Sequence, residues 1–394
     1  MFEYISTHSL DELKNSYVVL TQNVFEPAML LTDTFKATLP HVVTNNSFYE
    51  DIAKTINQSV NDGKLGVAFY CEGEGFYISF LNIINKVIKI LFEKYNFDKN
   101  KIFYISSSEP VSQDIELYRQ YCKEKDWFFI PNIIYVSWFQ YYAGNEINKF
   151  NFLTIKNLKP KTKKKSFLFF NGESRPHRLW LIGEIFLRNL QDKFYISMQD
   201  NNKVIYNKLD IINNQINQIG NNNRFLKIAD ILKQNINLFP MTLTHNGVLH
   251  IHTPQDLQLY NNSYISLVAE TTFFSKITVN NDIEGGNIRS MFLTEKTFKP
   301  IKAKHPFIIA GSPYVLERLR KMGYKTFSLF IDESYDTIED DFLRIEAITN
   351  EISRLCNFTE KEWLEFQEFS IPIIEHNFNV LSTKTNAEYH IYHV

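Results

Sequence analysis

The stretch from residue 264 to residue 326 constrains the fold of this chain more than any other. It begins with an apolar run of strand-forming residues, 264–269, which closes on Glu270. Thr294 then follows as a good N-cap for a helix. Residues 307–310 form a second buried-type strand that leads into a further helix. This order of elements predicts a βαβα unit with a parallel sheet.

Lys296 is the residue of this unit that points to function. It lies in the first turn of the predicted helix, where the helix macrodipole disfavours a positive charge. A bound anion at the same helix end would remove this conflict, and phosphate is the usual one. Pro300 is expected to kink or shorten the helix. The later lysines are expected on its solvated face, with a role for Lys299 as a supplementary phosphate ligand left open: Lys299, Lys302 and Lys304.

The same residues resemble the donor-binding half of the fucosyltransferase-like glycosyltransferases. The shared pattern is a strand that ends in Glu270, the helix start FLTEK at 292–296, and a following strand that opens with KHP at 304–306. In that family the Glu of Thr-Glu-Lys holds the ribose of the nucleotide sugar, and the Lys meets its diphosphate. The resemblance implies these two roles for Glu295 and Lys296. It covers the C-terminal half of the chain and is weak before residue 160.

The rest of the chain predicts two α/β domains. Strand and helix patterns alternate from residue 65 to residue 138, and the alternation restarts with an apolar strand at 166–170. We therefore expect a GT-B-like α/β fold, with two Rossmann-like domains facing a central cleft and a C-terminal helix crossing back. The predicted domains are an acceptor-side domain (1–160), a nucleotide-sugar domain (161–358) and a helical segment that packs on the N-terminal domain (359–394).

Two segments are expected to lie outside the packed domains. The basic run KPKTKKK at 159–165 favours a solvated linker over a phosphate or nucleic-acid contact. Residues 200–223 are rich in Asn and show no sustained period, which predicts an insertion or a mobile surface segment.

Charged side chains follow the first strand of the second domain. Ligands of open α/β sheets bind beyond the carboxyl ends of strands, and a diphosphate leaving group needs cations there. Arg175 and Arg178 lie in such a loop, which resembles the arginine-bearing loop of the same family. The alternative for both is a surface ion pair with Glu173 or Glu184. His177 is at least as readily a structural histidine as a ligand.

Two further residues complete the predicted donor site. Glu270 either binds the ribose or the sugar, or caps the next turn through neighbouring N–H groups. Thr294 opens the helix that carries Glu295 and Lys296, so it too is expected beside the donor.

A carboxylate of the first domain is expected to act as the catalytic base. Inverting transfer needs a group that takes the proton of the acceptor hydroxyl. Glu74 is the first candidate, followed by Glu72 and Glu109, because all lie at predicted strand ends. The segment 69–74 resembles the one that holds the base in bacterial fucosyltransferases. The alternative is a tight turn in which the glutamates stabilise a helix N-terminus.

Several function classes lose support from what the sequence lacks. A net charge of −2 over 394 residues gives no broad case for nucleic-acid binding. The chain contains no Asp-x-Asp, so a metal-bridged donor site is disfavoured and metal independence is expected. No Walker loop, Gly-x-Ser-x-Gly elbow or His-Glu-x-x-His is present.

The sequence therefore predicts an inverting, metal-independent glycosyltransferase. Its donor is a nucleoside-diphosphate sugar, with a GDP-sugar implied by the resemblance alone, and its acceptor is a hydroxyl of a glycan or another molecule. No cofactor is expected beside the nucleotide sugar, and nucleic acid enters only as an acceptor. The lack of a signal-peptide pattern or a membrane-spanning run favours the cytoplasm of a bacterium or of a virus-infected cell. The alternatives are a catalytically silent sugar- or nucleotide-binding protein, a glycosyltransferase of modified bases in viral DNA, and a structural protein.

Overall fold

The computed structural model describes residues 3–9, 17–22, 46–71, 78–106, 112–136, 138–149, 154–219, 223–243, 254–274, 292–384 and 388–393. The chain divides into two compact units. The first comprises Met1–Tyr141, Ile283–Phe292 and Asn386–Val394, and the second comprises Tyr142–Asp282 and Leu293–Thr385. Separate stretches of chain make up each unit, whereas the sequence patterns predicted continuous domains.

Strands and helices alternate through most of the described chain. The strands are β1 (Glu3–Ser9), β2 (Tyr17–Gln22), β3 (Gly66–Cys71), β4 (Ile102–Ser106), β5 (Asn132–Val136), β6 (Lys165–Phe169), β7 (Phe194–Ile196), β8 (Ser263–Ala269), β9 (Phe307–Ala310) and β10 (Glu388–His393). The helices are α1 (Asn46–Asn61), α2 (Ile78–Tyr95), α3 (Ser112–Lys125), α4 (Trp138–Lys149), α5 (Pro176–Leu187), α6 (Asn202–Ile219), α7 (Asn223–Gln234), α8 (Pro254–Asn261), α9 (Glu295–Ala303), α10 (Val315–Lys321), α11 (Asp341–Cys356) and α12 (Glu360–Ser382).

The first unit is built on a mostly parallel sheet with the strand order β1-β10-β5-β4-β3-β2. Strands β2 to β5 are parallel, while β10 and β1 are antiparallel additions beside β5. Phe69 and Tyr104 are fully buried on the central strands. Gly66 is required at the start of β3, because a Cβ there would lie 2.3 Å from the carbonyl oxygen of Lys101.

The second unit contains a parallel sheet with the strand order β7-β6-β8-β9. All seven residues of β8 are buried, as expected for a central parallel strand covered on both faces. Parallel strands joined by helices in both units confirm the predicted α/β class with two Rossmann-like parts.

The expectation of an irregular segment at 200–223 is wrong, because most of it forms helix α6. The apolar residues of this stretch follow helical spacing, and Ile205, Leu209, Ile212 and Ile216 are at most 1% exposed. The many Asn residues hid this period in the sequence. They lie mainly on the exposed side of the helix, where their low helix propensity is outweighed by packing.

The basic run 159–165 is docked on the second unit and is not a solvated linker. The backbone N–H of Lys161 donates to the side chain of Gln367 (3.3 Å), and that of Lys163 donates to the hydroxyl of Tyr264 (2.9 Å). The ammonium of Lys163 also bonds to the carbonyl of Ser263 (2.7 Å). These contacts lie at the amino end of the second sheet, so the run is remote from the carboxyl edge where ligands bind.

The end of the chain contains both a helix and a strand. Helix α12 begins with a capping box formed by Thr359 and Glu362 and belongs to the second unit. The chain then returns to the first unit as β10, which pairs antiparallel with β5 and β1. Residues 388–393 are therefore a strand, where the sequence patterns predicted a helical segment. None of the helices that the structure describes is long and apolar enough to cross a bilayer.

Candidate functional site

A buried carboxylate holds the start of helix α9. Thr294 is the N-cap, as predicted, and its hydroxyl accepts a hydrogen bond from the N–H of Lys296 (3.3 Å). Glu270, at the end of β8, is 1% exposed. It accepts hydrogen bonds from the N–H (3.0 Å) and hydroxyl (2.6 Å) of Thr294, the hydroxyl of Thr297 (2.5 Å) and the N–H of Thr271 (3.2 Å). These donors use the acceptor capacity of the carboxylate, so the geometry favours the capping role of Glu270 over ribose binding.

The ammonium of Lys296 is directed back over this helix start. Its Nζ lies 3.0 Å from Oε1 of Glu295, 3.1 Å from Oγ1 of Thr294 and 3.2 Å from Oγ1 of Thr271. Burial acts to raise the pKa of Glu295, but the charges of Lys296 and Lys299 outweigh it and hold that pKa below its usual value. Glu295 is therefore ionised and is the negative group beside the helix N-terminus in the protein alone.

Arg175 and Lys296 meet at the same residue, Thr271. Nη1 of Arg175 donates to the carbonyl of Thr271 (3.3 Å), whose hydroxyl lies beside Lys296. The predicted alternative partner, Glu173, is 3.9 Å from Nη2 of Arg175, and its side chain is 70% exposed. An exposed ion pair at that separation adds little stability. Arg175 therefore contacts the loop after β8 at the residue whose hydroxyl lies beside Lys296.

Arg178 faces the sheet, whereas Arg175 is partly exposed. Arg178 is 3% exposed and donates to the carbonyls of Glu173 (2.8 Å) and Ala269 (3.3 Å). It thereby connects the loops after β6 and β8. Glu184, the other alternative partner, instead accepts hydrogen bonds from Arg188 (2.9 Å) and Arg224 (2.5 Å).

His177 is a buried histidine that feels the charges of the cations described above. Its Nε2–H donates to the carbonyl of Glu270 (2.7 Å), and its ring stacks on Phe273 at 5.4 Å between centroids. Burial, and then the charges of Arg178, Arg175 and Lys296, hold the pKa of His177 well below its usual value. Charge effects fall with distance, so the three cations lie near this ring. His177 is a neutral structural histidine beside them.

Three residues that the sequence analysis did not single out fix the loop before Arg175. Ser174 donates its N–H to Asp200 (2.8 Å), and its hydroxyl bonds to the same carboxylate. Lys208 of α6 donates to Asp200 (2.9 Å) and to the carbonyl of Ser174 (2.9 Å). Lys208 was missed because its helix was taken as irregular chain. The apolar spacing of α6 was the signal that could have placed it.

The lysines of α9 do not share a solvated face, so that expectation is wrong. The side chain of Lys302 is 4% exposed and forms an ion pair with Glu146 of α4. Lys304 caps the helix in the left-handed conformation (φ 56°), with its ammonium 4.6 Å from the ring centre of Phe378. Lys299 is partly buried. The helix lies in the packed interior of its unit, which the lysine spacing alone did not reveal.

The predicted catalytic bases Glu72 and Glu74 lie outside the described residues, as does Glu109. Their role stays a prediction. Within the described ranges, no group of three or more His, Cys, Asp or Glu side chains is placed to hold a metal ion.

Comparison with known proteins gives similarity in structure alone. No family model and no curated protein matches the sequence. The N-terminal domain of trehalose-6-phosphate phosphatase from Candida albicans is 9% identical with a TM-score of 0.39, over 91% of this chain and 83% of that one. The UDP-forming α,α-trehalose-phosphate synthase from Burkholderia vietnamiensis is 6% identical with a TM-score of 0.34, over 85% of this chain and 68% of that one. With TM-scores below 0.5, neither structure enters the functional argument.

Proposed function

We propose that this protein is an inverting, metal-independent glycosyltransferase that binds the diphosphate of a nucleotide sugar beside the N-terminus of α9. The observation that supports the proposal is that Arg175 and Lys296 both bond to Thr271 at the carboxyl edge of the second sheet. Open α/β sheets bind their ligands at this edge. Two cations beside a helix N-terminus suit a ligand that carries phosphate groups.

The reaction assigns a task to each group. The bond from the sugar to the diphosphate breaks with its electron pair, and the new negative charge falls on a phosphate oxygen. Lys296 and Arg175 stabilise that charge, and the first N–H groups of α9 add to the effect. The acceptor oxygen bonds to the sugar carbon and gives its proton to the base, for which Glu74 and then Glu72 are the candidates. The cations of the protein take the place of a divalent metal.

The nucleotide and the ribose contact come from the family resemblance. It implies a GDP-sugar as donor and Glu295 as the ribose ligand. Glu295 suits this role better than Glu270, because its side chain is 25% exposed and the carboxylate of Glu270 is already used by protein donors.

Thermal unfolding with GDP, UDP, ADP, CMP and dTDP tests the proposal. A nucleoside diphosphate should raise the melting temperature, since a ligand at a hundred times its Kd adds about 2.7 kcal/mol to the free energy of unfolding. Lys296→Ala should abolish most of this rise without unfolding the free protein. Lys361→Ala is the matched control, because Lys361 is 86% exposed on α12. The proposal fails if no nucleotide stabilises the wild type, or if Lys296→Ala responds like the wild type.

A further inference from the structure

Lys299 lies one turn beyond Lys296 on α9 and forms no ion pair with the part of the chain that the structure describes. It is partly buried, and its ammonium makes neither a hydrogen bond nor an ion pair with the residues that the structure describes. An ammonium withdrawn from water without a partner is unfavourable. Such a group favours a source of negative charge beyond the carboxylates that the described residues supply.

The charges that face Lys299 are already used by other partners. On its own helix these are Glu295, Lys296 and Lys302, and on α4 the facing charge is Glu146. Glu295 pairs with Lys296 (3.0 Å), and Glu146 pairs with Lys302. Among the described residues, three ammonium groups face two carboxylates, and Lys299 is the ammonium that forms no ion pair there.

Helix geometry directs this charge toward the candidate site. Residues three and four positions apart lie on the same side of a helix, so Lys299 shares a side with Glu295 and Lys296. Side chains of a helix lean toward its N-terminus, which brings the long stem of Lys299 back over the first turn. The ammonium of Lys296 and the positive end of the α9 dipole are at this same end.

We propose that Lys299 is a further cation of the donor site and binds a phosphate of the nucleoside diphosphate together with Lys296 and Arg175. This inference rests on the proposed function and names a residue that the family resemblance does not supply. A diphosphate carries more negative charge than Lys296 and Arg175 alone can neutralise, because Glu295 already offsets part of their positive charge. Lys299 provides the missing positive charge.

The proposal has a consequence for pH. Burial lowers the pKa of Lys299 to about 8, and the carboxylate of Glu295 only partly opposes this effect. A bound phosphate favours the charged ammonium and raises that pKa. Nucleotide affinity is therefore fully present below pH 8 and falls as the pH rises above it. Between pH 7 and pH 9 the contribution of Lys299 should weaken binding by about tenfold.

Two substitutions at Lys299 test the proposal, with Kd measured for the nucleotide that stabilises the wild type and for inorganic pyrophosphate. Lys299→Met should raise Kd by about tenfold or more at pH 7, because a charge-assisted hydrogen bond is lost. It should not lower the melting temperature of the free protein, because the uncompensated charge is removed. Lys299→Arg keeps its positive charge above pH 9. Its Kd should therefore change less between pH 7 and pH 9 than the Kd of the wild type. The phosphates of the ligand titrate equally in both experiments, so the difference between Lys299→Arg and the wild type reports on residue 299.

The outcomes separate this inference from the proposed function. If Lys299→Met binds as tightly as the wild type at pH 7, or if Lys299→Arg keeps the wild-type pH dependence, Lys299 is not a phosphate ligand. The proposed function would then still hold, provided that Lys296→Ala loses binding. If no nucleotide or pyrophosphate binds the wild type, both proposals are wrong. Lys361→Met controls for the loss of one positive charge elsewhere.

Discussion

At the scale of single residues, Glu270 connects the end of β8 to the start of α9. Its two oxygens accept hydrogen bonds from the backbone and hydroxyl of Thr294, the hydroxyl of Thr297 and the backbone of Thr271. Thr271 and Thr294 are also the residues whose hydroxyls lie beside the ammonium of Lys296. The carboxylate thus fixes the two threonines that position Lys296, the residue proposed to bind phosphate.

Replacement of Glu270 by Gln should destabilise the protein in the absence of any ligand. The NH2 group of the Gln amide can only donate. It would face hydrogen-bond donors of the protein, and these would lose their acceptor. We expect the free energy of unfolding to fall by about 2–3 kcal/mol, measured by urea denaturation. Glu365→Gln, at a side chain that is 52% exposed, should change it little. Unchanged stability with weakened nucleotide binding would instead identify Glu270 as a ligand of the donor.

At the scale of elements, helix α11 stabilises the loops beside the candidate site. Arg344 of α11 is 1% exposed and donates to the carbonyls of Phe273 (2.8 Å), Gly311 (3.2 Å) and Ile338 (2.9 Å). Its guanidinium lies 4.3 Å from the centre of the Phe273 ring, which also stacks on His177. The loops after β8 and β9 are therefore joined through one buried side chain.

Replacement of Arg344 by Met should be among the most destabilising single changes in the second unit. It leaves the buried carboxylate of Asp341, which pairs with Arg344 at 2.8 Å, and several carbonyls without this donor. The expected loss is about 3–5 kcal/mol in chemical denaturation. Arg119→Met removes an exposed ion pair with Glu116 and should cost at most about 1 kcal/mol. Comparable losses for the two variants would show that Arg344 does not hold these loops.

At the scale of the whole molecule, the proposed reaction divides its tasks between the two units. The proposed donor-binding residues Arg175 and Lys296 belong to the second unit, and the stretch Met1–Tyr141, whose sequence includes the candidate base Glu74, belongs to the first. Binding and turnover should therefore respond to different substitutions. This division also separates an enzyme from a catalytically silent nucleotide-binding protein.

Replacement of Glu74 by Gln should lower turnover while leaving nucleotide binding unchanged. Loss of a general base typically reduces rates by about 10²–10⁴-fold. The assay is the release of nucleoside diphosphate from a sugar nucleotide in the presence of acceptor hydroxyls, with melting temperature as the binding measurement. Glu72→Gln is the paired variant, since it was the second candidate. Full turnover in both variants would remove these residues as bases.

The sequence by itself determined the parts of the site that depend on near neighbours. The apolar run of β8, the N-cap Thr294 and the strand–helix order follow from local patterns, and they place Arg175 and Lys296 at one sheet edge. Helix α6 also follows from a local pattern, the helical spacing of its apolar residues. The many polar residues of this stretch hid that spacing.

Only the tertiary structure decided which polar side chains are used by contacts within the protein. Glu270 caps a helix start 24 residues away, and His177 bonds to a carbonyl 93 residues away. Lys302 pairs with Glu146 across 156 residues, so among the described residues that carboxylate is not left to Lys299. Burial and pairing at these separations depend on how the chain packs, and no spacing of residue types records them.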